Sequence, residues 1–277
     1  MNRRLFLSQS TLAAAGFARS AEDGRGDMEG IIDTQIYLGR HPFRESISAE
    51  PEKLATKLKS KKVIRAWAGS FEALFQRDIA GVNARLVAQC DGHPLFMVVG
   101  AVHPKMPDWR ADIRRCAKEH GMKVIRLHPN YHGYDLEDAD FLALLKEATD
   151  LGLGVQIVAQ MEDERTQHPL AQAKAVDLRP LAEVLKKVPE AKVMVLNANR
   201  AMSMTALAGC RVTLDFAMLE GVGGVANLLK DWPVDQLVFG SYAPFFYWES
   251  AWLKMEESEL SAEQRQRILR GNAESWL

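Results

Sequence analysis

Cysteine is scarce and scattered in this chain. Cys90, Cys116 and Cys210 form no close pair, which excludes a disulfide framework or a C-x-x-C zinc knot. Each reads as a small buried hydrophobe. No apolar run reaches the roughly 20 residues that a bilayer-crossing helix requires, so no integral membrane segment is expected. Charge of one sign is not concentrated either: 35 Lys and Arg stand against 36 Asp and Glu, with a pI near 6.7. A nucleic-acid binder carries a basic stripe, and none is visible. No glycine-rich phosphate loop follows an early strand-like run. The one glycine cluster, Gly221-Val222-Gly223-Gly224, comes late and reads as the opening of a helix. Ser70 and Ser241 lack the Gly-x-Ser-x-Gly setting of a serine hydrolase.

What is present is an alternation of apolar strands and amphipathic helices. Strands are predicted at 31–38, 63–68, 95–102, 124–128, 155–160, 192–196, 212–217 and 237–239. Helices are predicted at 51–60, 71–90, 109–120, 141–151, 178–188, 224–232, 248–257 and 262–276. Strands this apolar, each followed by a helix, belong to a parallel sheet covered on its outer side. Eight in about 250 residues fit an α/β fold of the (β/α)8 TIM-barrel type, residues 28–277, as one domain. An open doubly wound sheet is the alternative. Residues 1–27 read as a targeting segment and linker: Asn2-Arg3-Arg4-Leu5-Phe6-Leu7 resembles the twin-arginine export motif. Export to a periplasmic or other extracytoplasmic space is the expectation.

In such a barrel the strand ends and the loops after them form the site. The stretch 122–168 gathers the most chemistry there. Its first strand ends Arg126-Leu127-His128-Pro129-Asn130 and leads to His132 and Tyr134. Its second ends Gln160-Met161-Glu162-Asp163-Glu164-Arg165 and leads to His168. Side chains two apart share a strand face, so Arg126 joins His128, Gln156 joins Val158 and Gln160, and Asp33 joins Gln35 and Tyr37. His128, His132, Asp163 and His168 are the candidate acid–base residues. Arg126, Arg165 and Arg200 are candidates to fork onto an anionic group. Asn130, Tyr134, Gln160, Asn197, Gln35 and Tyr37 are candidate substrate contacts. Satisfied core networks are the competing reading for each. The run Phe245-Phe246-Tyr247-Trp248 either roofs the site, joins copies of the chain in a homo-oligomer, or packs the closing helices.

Several segments resemble the metal-dependent amidohydrolase-related barrels. Gly30-Ile31-Ile32-Asp33-Thr34-Gln35-Ile36-Tyr37-Leu38-Gly39 is similar to that family's opening I-I-D-x-H-x-H-x-G. Val124-Ile125-Arg126-Leu127-His128-Pro129 is similar to its fourth strand, and Phe239-Gly240-Ser241-Tyr242-Ala243-Pro244 to its eighth, F-G-[ST]-D-x-P. Gly271-Asn272-Ala273 resembles its closing helix. The metal ligands implied by the resemblance do not carry over. Gln35 and Tyr37 replace the two strand-one histidines, Val158 and Asn197 fall at two further histidine positions, and Tyr242 replaces the aspartate. No cofactor is therefore expected at the standard site. Three readings follow. In the first, a hydrolase-like or lyase-like enzyme acts on a small polar or anionic substrate, with its chemistry moved to the fourth and fifth connections. In the second, a divalent metal sits at a shifted site among His128, His132, Asp163 and His168. In the third, a barrel without catalysis binds a ligand.

Overall fold

The computed structural model describes residues 30–45 and 50–277. The twin-arginine-like segment lies outside the described residues. The strands are β1 (Ile31–Leu38), β2 (Val63–Ser70), β3 (Phe96–Val98), β4 (Gly100–Ala101), β5 (Val124–Leu127), β6 (Gly154–Val158), β7 (Val193–Leu196) and β8 (Thr213–Leu214). All pair in parallel, in the orders β1-β2-β3 and β4-β5-β6-β7-β8. The helices outside them are α1 (Pro51–Ser60), α2 (Ile79–Cys90), α3 (Trp109–Lys118), α4 (Pro129–His132), α5 (Ala139–Asp150), α6 (Leu181–Lys187), α7 (Arg200–Ala206), α8 (Gly224–Leu228), α9 (Trp248–Glu256), α10 (Ala262–Gln266) and α11 (Asn272–Glu274).

The ring closes through an extended segment after β8, where the strand expected at 237–239 is reduced to isolated bridges. Leu237 bridges Leu214, Ala243 bridges Ile36, and the Thr34 and Tyr37 amides donate to the carbonyls of Phe239 and Ala243. The result is the TIM barrel expected from the strand–helix alternation. The third predicted strand is interrupted at Val99, whose N–H still bonds Ala68. The long helix predicted at 71–90 is broken. A 3-10 turn at Phe71–Leu74 precedes α2, which Asp78 caps by accepting from the Gly81 amide. Helix α7 was not anticipated; Asn199 starts it by accepting from the Met202 amide.

Two apolar layers result from the alternation. Ile36, Leu38, Ile125, Leu127, Val155 and Ile157 point outward and pack under the helices, while Ile32, Trp67, Val99, Val124, Val158 and Met194 fill the barrel interior. Gly154 admits the ring of Trp276 against the strand, since a Cβ there would lie 2.8 Å from it. Asn272 ties the chain's end to the closing segment by donating to the carbonyls of Val234 (2.6 Å) and Leu237 (2.7 Å).

Candidate functional site

Above the apolar floor the interior turns polar and aromatic. Arg126 points inward from β5 and is 1% exposed. Its Nε donates to Gln156 Oε1 (2.8 Å), Nη1 to the Ile36 carbonyl (2.9 Å), and Nη2 to the carbonyls of Thr34 (3.3 Å) and Trp67 (3.2 Å). The guanidinium also lies 4.5 Å from the centre of the Tyr37 ring. The expectation that Arg126 forks onto a substrate is therefore corrected: its donors are committed to the protein.

Next above it, the Tyr37 hydroxyl and His128 Nε2 are 3.0 Å apart, both fully enclosed. Burial first, then the neighbouring His132 and Arg126, holds the His128 proton affinity well below the ordinary imidazole range. The ring is neutral near pH 7, and its Nδ1 has no partner among the described residues. His132 bonds the Ala73 carbonyl through Nε2 (2.8 Å), and its ring stacks on His103 with centres 4.1 Å apart. Burial lowers His103 to about 4 and also lowers His132. Tyr37 stacks on Phe71 (4.6 Å) and meets Tyr242 edge-on (5.6 Å), and Tyr242 stacks on Phe245 (4.8 Å). The Tyr242 hydroxyl donates to the Met161 carbonyl. Both Tyr242 (φ 61°) and Asn197 (φ 59°) sit in the left-handed region at strand ends, a conformation that side-chain-bearing residues adopt only when the surroundings enforce it.

Two buried carboxyls complete the interior. Asp33 accepts from the Ser241 and Gln35 amides, and burial raises it to about 6. Asp215 accepts from the Asn197 amide (2.7 Å), and burial raises it to about 7. Gly240 makes room for Asp215, whose Oδ2 would lie 2.7 Å from a Cβ there. Asp215 carried no motif, and its apolar flanks hid it in the sequence.

The roof joins two connections. Arg44, after β1, pairs with Glu162, after β6 (3.5 Å), and lies 4.3 Å over the Phe245 ring. Phe43 stacks on His168 at 4.4 Å. Beneath them a small cavity is lined by His41, Arg44, Glu45, Phe71, Pro244 and Phe245. Arg44 and His41 carry no sequence signal, because their neighbours Glu162, Phe71 and Phe245 come from other connections. Phe245 was flagged by its aromatic run.

The structure thus brings together Gln35, Tyr37, Arg126, His128, His132, Asn197 and the Gln160 carbonyl, which accepts from Asn197 (2.8 Å). It does not gather the others. Asp163 and Arg165 pair with each other in solvent. His168 lies in the exposed roof and accepts from the Leu170 amide. Asn130 turns to the Lys174 carbonyl. Tyr134 faces outward beside Phe141 and Leu136, its hydroxyl buried without a partner among the described residues. Arg200 bonds Asp231 and the Asn227 carbonyl on the outer surface. The four residues weighed for a shifted metal site are therefore not clustered: His128 and His132 are buried, while Asp163 and His168 face outward. Among the described residues no group of three His, Cys, Asp or Glu is disposed to hold an ion. A carboxamide and two phenols at positions 35, 37 and 242 do not fit a divalent cation.

The described part superposes on solved barrels. A 5-carboxyvanillate decarboxylase from Novosphingobium aromaticivorans, with bound manganese and 3-methoxy-4-hydroxy-5-nitrobenzoic acid, matches with a TM-score of 0.70 at 15% identity, over 89% of this chain and 96% of that one. A 2,6-dihydroxybenzoate decarboxylase from Rhizobium matches at 0.69 and 10% identity, over 90% and 98%. An uncharacterized TIM-barrel protein from Bordetella bronchiseptica matches at 0.67 and 16% identity, over 89% and 98%. No curated protein matches the sequence. The family model for amidohydrolases matches residues 54–277, so the chain belongs to the amidohydrolase family.

Proposed function

We propose that this chain is an amidohydrolase-family enzyme that acts at the C-terminal mouth of its barrel on a small molecule carrying an aromatic ring and a carboxylate. The chemistry is hydrolytic or lyase-like and works without an ion at the standard position. The carrying observation is the Tyr37–His128 pair, two proton-handling groups 3.0 Å apart at the head of β1 and β5. A neutral imidazole accepts a proton, and the phenol beside it passes one on or holds the ring in place. The rings of Phe71, Tyr242 and Phe245 suit a flat aromatic substrate. Arg44, half-exposed at the roof, is the cation available to its carboxylate once Glu162 is displaced. The names of the Novosphingobium and Rhizobium neighbours support the same substrate class. The twin-arginine-like residues 2–7 support export of the folded chain.

A second reading, ligand binding without catalysis, is favoured by one observation: Tyr37, Tyr242 and Phe245 fill the mouth with rings packed edge-on and stacked. A pool of aromatic carboxylates and amides, screened for turnover with the wild type and His128→Ala, separates the two. Turnover lost in the variant supports the enzyme. Saturable binding with no turnover by either protein replaces it with the binding reading.

A further inference from the structure

Burying a guanidinium is unfavourable unless nearly all its donors are matched. In Arg126 four of the five N–H groups are, by Gln156 and by the carbonyls of Thr34, Ile36 and Trp67. Two of those carbonyls, of Thr34 and Ile36, flank Gln35, and Ile36 directly precedes Tyr37. These two alternate with positions 35 and 37 of β1, where the family resemblance calls for metal-ligating histidines, while the third comes from β2. The seat is shaped for this side chain. A Cβ on residue 69 would lie 2.7 Å from Arg126 Nη1, so Gly69 keeps the space open. The Tyr37 ring presents its electron-rich face to the cation. Asp33 and Asp215 are enclosed in the same interior, and the guanidinium's field lowers the proton affinity of each against the larger, opposite effect of burial.

We infer that Arg126 is the barrel's resident cation, seated beside the β1 positions that the family resemblance assigns to metal ligands, and that it both supplies positive charge to the interior and repels a divalent metal. The inference rests on the reading of a mouth that works without a metal at the standard position. A dication brought beside this guanidinium meets like charge in a desolvated setting, with no imidazole at 35 or 37 to hold it.

The test uses the full chain, dialysed against EDTA and then titrated with Mn2+, followed by elemental analysis and thermal melting. The expected result is less than about a tenth of an equivalent of metal and a Tm that moves by less than about 1 °C on adding Mn2+. Arg126→Met is expected to lower Tm by about 10 °C. Arg126→Lys, which keeps the charge but not the fork, is expected to recover part of that loss. One equivalent of tightly held metal, or a Tm that falls on chelation, overturns both this inference and the metal-free reading. Arg126→Met melting like the wild type, or Lys and Met variants falling equally, overturns the inference alone. Should Arg126→Met fail to accumulate, the lysine variant and the wild-type metal measurements still decide it. Turnover is not a readout here, so an inactive protein with these melting properties sinks the proposed function and leaves the resident cation standing.

Discussion

The hydroxyl of Tyr37 lies 3.0 Å from Nε2 of the buried His128 ring, whose Nδ1 meets no partner among the described residues. Tyr37→Phe leaves both ring nitrogens unmatched. The expected penalty is about 1–3 kcal/mol by urea denaturation, with kcat on an aromatic carboxylate falling about 100-fold or more if the pair transfers protons. A stable variant with full kcat would remove Tyr37 from the chemistry.

Arg44 bridges two connections at an exposed edge, so its loss is expected to spare the fold. For Arg44→Met we expect a stability change below about 1 kcal/mol and a KM for carboxylate substrates raised about 10–100-fold. An amide analogue of the same ring should lose much less. Equal losses for acid and amide would show that the guanidinium does not read the carboxylate.

Asp215 holds its proton more tightly folded than unfolded. Its contribution to stability is full below about pH 4, the unfolded carboxylate range, and is lost as pH rises toward about 7. Asp215→Asn keeps an acceptor for the Asn197 amide and does not ionise. Its Tm relative to wild type is therefore expected to climb between about pH 4 and 7. The buried histidines act in the opposite sense. His41 and His103 are lowered to about 4, and His128 and His132 are also lowered, so their share is present above about pH 6.5 and lost on acidification. Melting curves of both proteins across that range measure the difference, and a flat difference would refute the buried-carboxyl assignment.

Asn272 holds two carbonyls of the closing segment with one amide. Asn272→Ala is expected to cost about 2–3 kcal/mol in urea denaturation and to speed amide exchange in residues 237–243. Unchanged exchange there would separate the closing helix from ring closure.

The barrel was legible because each strand from Ile31 to Leu214 is an aliphatic run flanked by turn residues, a signal that survives when function changes. The inward direction of Arg126, Gln156 and His128 followed from two-residue alternation. What alternation does not carry is the partner. Arg126 resembles an anion holder until the carbonyls of Thr34, Ile36 and Trp67, distant in sequence, are seen around it. Asp163 and His168 misled because ionisable residues in a strand-end loop look alike whether they face inward or outward. Arg44 and Asp215 lay beyond reach because each depends on neighbours from other strands.

The connection between β6 and α6 contains two short ionic clasps, Asp163–Arg165 and Asp177–Arg179, each closing within three residues at 2.6 Å. Those two ties ask nothing of the frame below, whereas Glu162, His168 and Lys174 of the same stretch reach Arg44, Phe43 and Asn130. Exchange confined to residues 163, 165, 177 and 179 therefore leaves the frame as it is.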